Sequence, residues 1–244
     1  VAELVRQWRC RLASLPAVDE GVRRIADALD HAGELDNTAI LFVSDNGYFF
    51  GEHRVRTEKY LAYEEAIRLP LLIRFPGGAG AGAVVDAPVA NIDLAPTILE
   101  FAGAPPCIGK KASICRVMDG RSLVPLAQGG AWPQDRALAL ELTRKAGTAN
   151  AALPCTYQGL RVDGQVYIEH SSVPDPAGQC QPAFEVEHYN LLNDPYELEN
   201  LYPAPGNSPT AQIEAALAAR LAILRDCAGI EGRDPAPPSG HFCE

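Results

Sequence analysis

Apolar residues follow different patterns in different parts of the chain, and each pattern predicts a different element. Between residues 15 and 32 they lie three or four positions apart, the spacing of one helical face, and Gly33 then marks an end. The apolar positions of this face are Val18, Val22, Ile25 and Leu29. Two continuous apolar runs, 38–44 and 69–75, have the length of strands buried on both faces of a parallel sheet. A short helical stretch around 63–67 and a helix over 93–102 are also predicted, so this half is an α/β layer.

The second half has the shorter alternating pattern of an antiparallel sheet. Its predicted strands are 137–142, 157–162, 165–169 and 184–191. Asp163-Gly164 is a strong hairpin signal, and the Ala- and Leu-rich segment 210–225 predicts a helix that packs on the sheet. Pro and Gly are dense after residue 105, so we predict two domains, an α/β part over 1–105 and an antiparallel-sheet subdomain over 106–244.

Composition and charge exclude several classes of partner. The 244 residues are 47% hydrophobic and 21% charged, ordinary values for a folded protein. The net charge of −10 argues against a nucleic-acid ligand, which would require clustered Lys and Arg. No apolar run approaches the ~20 residues that span a bilayer. The chain opens on a charged amphipathic stretch without a signal-peptide pattern, so we expect that it starts within a longer protein.

The seven cysteines favour disulfides over zinc, because they form no Cys-x-x-Cys pair. Most lie in or beside loops rich in Pro and Gly, which suits a secreted or periplasmic protein. By proximity alone, the predicted pairs are Cys107 with Cys115, Cys155 with Cys180 and Cys227 with Cys243, which leaves Cys10 unpaired. Buried free thiols in a cytosolic protein are the alternative.

Candidate chemistry begins with Asp45-Asn46-Gly47, directly after the first predicted strand. Open α/β sheets bind their ligands at the carboxyl ends of strands. A carboxylate beside an amide offers two hard oxygen ligands for Ca²⁺ or Mg²⁺, and Gly47 would let the backbone turn tightly around the ion. The alternative is a plain turn, since Asp, Asn and Gly all favour turns.

A Lys and a His lie beyond this motif on the same predicted loop. Lys59 could reach back and hold an oxyanion beside the cation, and His53 could donate a proton to a leaving oxygen. His53 could equally be a hydrogen-bonded residue of a structured loop. The segment 63–65, Tyr-Glu-Glu, would orient Lys59 or cap a helix, and we favour the structural role. Other nearby positive charges are Arg54, Arg56 and Arg68, which we interpret as a solvated surface.

Five separated blocks, in order, resemble the second signature region of type I sulfatases and the family's segments C-terminal to it. The blocks are Leu41-Phe-Val-Ser-Asp-Asn-Gly47 with its spacing to Lys59, Tyr63-Glu-Glu-Ala-Ile-Arg-Leu-Pro-Leu-Leu-Ile73, Asn91-Ile-Asp-Leu-Ala-Pro-Thr-Ile98, Asp119-Gly-Arg-Ser-Leu123 and Asp194-Pro-Tyr-Glu-Leu-Glu-Asn-Leu201. The chain therefore resembles the C-terminal portion of a type I sulfatase, within the alkaline-phosphatase-like superfamily. The details at 51–53 and 63–65 are closest to the N-acetylglucosamine-6-sulfatase branch.

The resemblance implies part of an alkaline-phosphatase-like doubly wound α/β sheet, followed by a smaller α+β subdomain. It also implies hydrolysis of sulfate esters, of a sulfated small molecule or glycan, with Ca²⁺ and with Mg²⁺ as the other possibility. The implied metal ligands are Asp45 and Asn46. The implied catalytic residues are Lys59, which also binds the sulfate, and His53.

The family's nucleophile is a formylglycine hydrate made from the Cys of a Cys-x-Pro-Ser-Arg motif, and this sequence contains no such motif. Cys180-Gln-Pro-Ala183 echoes it, but Phe184 stands where the Arg is required, so we interpret it as coincidence. We therefore expect formylglycine only in a missing N-terminal sulfatase segment, and no activity from this chain alone. The alternatives are a phosphodiesterase or phosphonate hydrolase of the same superfamily, and a non-catalytic degenerate domain.

Overall fold

A computed structural model describes residues 1–55, 58–104, 117–144 and 154–244. The chain divides into two compact units, Val1–Val84 and Val85–Glu244. This division falls earlier along the chain than the domain boundary predicted near residue 105, which lies at the edge of a segment outside the described residues. The assignment of the two predicted domains stays a prediction.

The first unit opens with one long helix, α1 (Ala2–His31), which extends the predicted helix toward the N-terminus. Good helix formers and exposed ion pairs three or four residues apart support the added turns. These pairs are Arg6 with Glu3, Arg24 with Glu20 and Arg23 with Asp27. The predicted apolar face is present but exposed: no residue of α1 is buried, and Ile25 is 59% exposed.

Strands β1 (Ile40–Val43) and β2 (Leu71–Arg74) form a two-stranded antiparallel sheet, with the short helix α2 (Glu64–Ile67) between them in the chain. The predicted parallel arrangement of these two strands is wrong. An apolar run indicates burial but not the direction of a strand. Here the chain reverses direction between β1 and β2, which belong to the same compact unit, so the two strands pair antiparallel. The cross-strand partners Phe42 and Leu72 are 40% and 61% exposed in this chain, so the described residues do not cover both faces of the sheet.

The second unit contains the predicted antiparallel sheet, in the order β3 (Leu138–Leu142), β4 (Tyr157–Val162), β5 (Gln165–Pro174), β6 (Cys180–Asn190). The last two strands are longer than predicted and pair through a register shift between His170 and Ser172. Asp163 and Gly164, with φ of 49° and 73°, make the two-residue turn from β4 to β5, as predicted.

The closing helix α5 (Pro209–Leu224) is confirmed and covers one face of that sheet. Ser208 caps its N-terminus, accepting a hydrogen bond from the Ala211 N–H at 3.2 Å. The apolar core between helix and sheet consists of Ala137, Leu160, Val162, Tyr167, Val186, Leu217, Leu221 and Leu224. The helix is held by this apolar burial, which is the main favourable term in folding.

Two shorter helices, α3 (Leu94–Phe101) and α4 (Val124–Ala127), precede the sheet in the second unit. Asp93, predicted near the start of α3, is fully buried, and its carboxylate forms a two-point ion pair with the guanidinium of Arg136. The same carboxylate accepts the backbone N–H groups of Ala90 and Arg121. Asp93 therefore ties the start of α3 to the start of the sheet region.

Two of the three predicted disulfides are confirmed, Cys155–Cys180 and Cys227–Cys243. Cys10 is a free, exposed cysteine, as predicted. The predicted pair Cys107–Cys115 lies outside the described residues. In the part of the chain that the structure describes, no helix is long and apolar enough to cross a membrane.

Candidate functional site

The Asp45-Asn46-Gly47 motif comes directly after β1 and runs alongside the chain around α2. Three consecutive backbone N–H groups fix this path: Gly47 donates to the Ala66 carbonyl at 2.8 Å, Tyr48 to Glu65 at 2.9 Å, and Phe49 to Glu58 at 3.0 Å. Because the backbone of residues 47–49 is paired residue by residue, the motif does not end in a free turn.

Gly47 is required by close packing rather than by a tight turn. A Cβ at this position would lie 1.9 Å from the Glu65 carbonyl oxygen and 2.8 Å from its carbon. Both are backbone atoms, which cannot move aside as the end of a side chain could. The absence of a side chain therefore lets the motif approach α2 and the residues that surround it.

We predict that Gly47→Ala lowers the free energy of unfolding of the chain by about 1–3 kcal/mol, because the added methyl group forces backbone apart. Chemical denaturation followed by circular dichroism measures the change. Gly21→Ala is the matched control: nothing lies within 4 Å of a Cβ there, and alanine is favoured within a helix, so stability should rise. Equal stability of Gly47→Ala and the parent chain would contradict the close approach.

Lys59 lies at the motif, as predicted from their spacing. Its Nζ donates to Asn46 Oδ1 at 3.0 Å, across 13 residues of sequence. Asn46 Nδ2 donates to the Gly47 carbonyl at 2.7 Å, which fixes the amide so that its oxygen faces the ammonium. Asp45 is exposed beside it. The structure thus brings together an amide oxygen and an ammonium group, and the Asp45 carboxylate belongs to the residue directly before the amide.

The oxygens of Asp45 and Asn46 fit a hard divalent cation in chemical type but not in number. Calcium takes about six to eight oxygen ligands, and magnesium about six. Two adjacent side chains can supply only part of such a shell. The remaining ligands would have to come from other groups.

His53 lies in a 3₁₀ turn, Glu52–Arg54, with a left-handed backbone, φ 50° and ψ 22°. Its ring stacks on Tyr63 with centroids 4.0 Å apart and planes 7° apart, and Phe49 meets both rings edge-on. Its Nε2 lies 3.4 Å from Glu65 Oε2. Two residues of the 63–65 segment, Tyr63 and Glu65, therefore contact His53. Tyr63 occupies the N-cap position of α2, but its side chain makes no cap hydrogen bond.

Among the other predicted positive residues, Arg54 and Arg68 are exposed, as expected of a solvated surface, and Arg56 lies outside the described residues. Arg11 was not singled out from the sequence. Its guanidinium lies 3.8 Å from the Tyr48 ring centroid and 4.7 Å from that of Phe50. No local sequence signal connects α1 with this loop, so only the fold identifies the contact.

Cys180 cannot serve as a nucleophile in this structure because it is bonded to Cys155. This agrees with the interpretation of its motif as coincidence. Two other sequence blocks have structural roles in the second unit. Asp119 accepts the Gly229 N–H, and Asp194 accepts the N–H groups of Leu198 and Glu199.

The chain is similar in sequence to known sulfatases. The family model described as Sulfatase matches residues 3–104. An N-acetylglucosamine-6-O-sulfatase of Bacteroides thetaiotaomicron is 33% identical over 192 residues, covering 78% of this chain and 31% of the relative. The chain therefore spans about a third of that relative's length.

Two solved structures are similar in fold and sequence. One is a protein in complex with its substrate, D-glucosamine-2-N,6-O-disulfate, with a TM-score of 0.69, 30% identity, and coverage of 86% of this chain and 38% of that chain. The other is a phosphonate monoester hydrolase of Agrobacterium radiobacter, with a TM-score of 0.63, 25% identity, and coverage of 85% and 39%.

Proposed function

The chain belongs to the type I sulfatase family, and on that premise we propose that it supplies part of the active site of an enzyme that hydrolyses sulfate esters. The predicted family and its alkaline-phosphatase-like α/β fold class are confirmed by the comparisons. The metal ligands in this proposal are Asp45 and Asn46. Lys59 binds the sulfate group, and His53 is the proton donor.

The observation that carries the proposal is the contact between Lys59 Nζ and Asn46 Oδ1, at 3.0 Å. A sulfate ester carries negative charge on its terminal oxygens, and an ammonium group beside a cation site stabilises charge there. Lys59 is exposed, so its ammonium can turn from the amide oxygen to a substrate oxygen. The contact puts positive charge where a sulfate bound beside the cation would need it.

The proposed cation is Ca²⁺, with Mg²⁺ as the alternative, because the available ligands are hard oxygens. When bound, it would polarise the sulfate oxygens as a Lewis acid. The role of this chain's residues is to hold one side of the ion with Asp45 and Asn46. Repulsion between the ion and the Lys59 ammonium would favour release of Lys59 from Asn46, toward the anion.

The proposed substrate is a sulfated sugar or another small sulfate ester. The names of the relatives support a sugar: one is an N-acetylglucosamine-6-O-sulfatase, and one was solved with a disulfated glucosamine. The disulfides Cys155–Cys180 and Cys227–Cys243 support a secreted or other extracytoplasmic location, where disulfides persist.

The proposed partner is an N-terminal sulfatase segment that carries the formylglycine nucleophile. Two observations support it besides the absence of the nucleophile motif. The chain covers 31% of the Bacteroides relative. In addition, large apolar residues of α1 and the β1–β2 sheet are exposed, among them Trp8, Leu15, Ile25 and Leu72. Exposed apolar surface of this extent is typical of a surface that another part of a protein covers.

A phosphonate ester hydrolase is the second candidate, favoured by the similarity to the Agrobacterium enzyme. A non-catalytic domain is the third candidate, and such a domain would bind little Ca²⁺.

The tests below use this chain joined to an N-terminal sulfatase segment, expressed in a host that converts the motif cysteine to the aldehyde. We call this protein "the completed enzyme".

We predict that the 244-residue chain alone does not hydrolyse 4-nitrophenyl sulfate, while the completed enzyme does so in the presence of Ca²⁺. Release of nitrophenolate measures both, and a 4-nitrophenyl phosphonate ester assayed in parallel separates the first two candidates. Turnover by the chain alone would disprove the need for a partner segment. A folded completed enzyme that is inactive on both esters and does not bind Ca²⁺ would favour the non-catalytic domain.

A further inference from the structure

His53 has an unusual backbone conformation and a packed side chain, although it lies in a short 3₁₀ turn. His53 and Arg54 both have positive φ, 50° and 61°, which is uncommon for residues other than glycine. A left-handed non-glycine residue costs about 1–3 kcal/mol and persists only when its surroundings hold it. The side chain of His53 is only 11% exposed, so the strained backbone delivers the ring into a packed site.

In the first unit, three of the described side chains contact the ring. Tyr63 lies flat against it, and Phe49, which is fully buried, closes the edge of both rings. Glu65 approaches Nε2 at 3.4 Å. Glu65 Oε2 is buried and accepts no hydrogen bond from any described residue. A buried carboxylate oxygen is costly without a donor, and the nearby Nε2–H of His53 supplies one after a small approach.

Glu65 also connects His53 to the proposed metal site. Its backbone carbonyl accepts the Tyr48 N–H at 2.9 Å, and the neighbouring Ala66 carbonyl accepts the Gly47 N–H at 2.8 Å. The residue that faces His53 is thus bonded to the segment that begins with Asp45-Asn46. Any shift of α2 would move His53 and the motif together.

We propose that Glu65 and Tyr63 are positioning residues for His53, a role that rests on the proposed function. Glu65 keeps the proton on Nε2, and Tyr63 fixes the plane of the ring, so that Nδ1 is the nitrogen that exchanges a proton with substrate.

In the proton transfer, the bridging oxygen of the ester takes the electron pair of its breaking S–O bond. The Nδ1–H proton passes to that oxygen, and its bonding pair stays on the ring as neutral, Nε2-protonated His53. The sulfur is taken by the attacking nucleophile.

The first test needs no catalysis. Ring ¹⁵N spectra of the 244-residue chain contain signals from five histidines, and His53→Gln identifies the signal of His53. We expect His53 in the Nε2-protonated form, and we expect Glu65→Gln to shift its ring nitrogens. Tyr63→Leu should broaden or shift the same signal, while Tyr63→Phe should restore it by keeping the flat ring.

A matched control exists in the second unit, where Glu187 Oε1 lies 2.7 Å from His170 Nε2. Glu187→Gln should move the His170 signal and leave that of His53 unchanged. If Glu65→Gln leaves the His53 signal unchanged, or if Glu187→Gln moves it equally, the positioning role is wrong.

The second test uses the completed enzyme and a sulfate ester with a poor leaving group, for which proton donation matters most. Glu65→Gln is expected to lower kcat by about 10-fold or more with little change in KM, because general acid catalysis contributes about 10²–10⁴-fold. The loss should be smaller on 4-nitrophenyl sulfate, whose leaving group needs little protonation. Equal losses on both esters, or none, would overturn the proposal. An inactive parent enzyme would count against the proposed function, while the spectra would still decide the positioning role.

Discussion

Asp45→Ala in the completed enzyme is expected to lower kcat/KM for 4-nitrophenyl sulfate by about 100-fold or more. The Asp45 carboxylate is exposed and directly precedes Asn46, whose oxygen faces the Lys59 ammonium at 3.0 Å. Removing it would deprive the proposed cation site of the charged ligand assigned to Asp45. Lewis-acid stabilisation is worth several kcal/mol, and each ~1.4 kcal/mol is about a factor of 10 in rate.

The measurement is initial rate against Ca²⁺ concentration, with calcium affinity followed in parallel by calorimetry. The control is Asp36→Ala, which removes another exposed carboxylate near the opposite end of β1. Asp36 pairs with Arg74 at 2.9 Å, and its side chain is 87% exposed, so its loss should leave activity unchanged. If Asp45→Ala kept both full activity and full calcium affinity, the metal assignment would be wrong.

Arg136→Met is expected to lower the free energy of unfolding by about 3–5 kcal/mol, the usual cost of breaking a buried ion pair by removing one partner. The guanidinium contacts Asp93 at 2.6 Å and 2.9 Å, and the two side chains are 1% and 0% exposed. Among the described residues, the substitution leaves the buried Asp93 carboxylate with two backbone donors, from Ala90 and Arg121.

Chemical denaturation of the chain measures this loss. Arg225→Met is the matched control: it breaks an ion pair with Glu169 at 2.5 Å, but the Arg225 side chain is 36% exposed. Exposed pairs contribute about 0–1 kcal/mol, so the control should change stability little. A loss below about 1 kcal/mol in Arg136→Met would show that the buried pair is not essential to the second unit.

The elements set by local pattern could be predicted from the sequence. The helix 210–225, the Asp163-Gly164 turn and the four antiparallel strands depend on residues within a few positions of each other, and all are found. The disulfides Cys155–Cys180 and Cys227–Cys243 were also predicted, because short separations along the chain favour contact. The strand ends of β5 and β6 were not, since the register shift at His170 depends on the partner strand.

In the candidate site, the sequence supplied the proposed functional groups. Asp45, Asn46, Lys59 and His53 were selected by residue type, spacing and family resemblance. The structure brings Lys59 to Asn46, as the spacing predicted. It also corrects the reason for Gly47, which makes room for the Glu65 carbonyl rather than a tight turn. The need for glycine at this position comes from Glu65, which is distant in the sequence, so the residues next to Gly47 do not indicate it.

Only the tertiary structure decided strand direction and long-range pairing. The apolar runs of β1 and β2 fit parallel and antiparallel partners alike, and the path of the chain made them antiparallel. The pairing of Asp93 with Arg136, across 43 residues, and the stacking of Tyr63 on His53 were likewise invisible in the sequence. Periodicity and motifs report what a residue is and which face it occupies. Which distant group meets that face depends on how the whole chain packs, and only the folded structure contains that information.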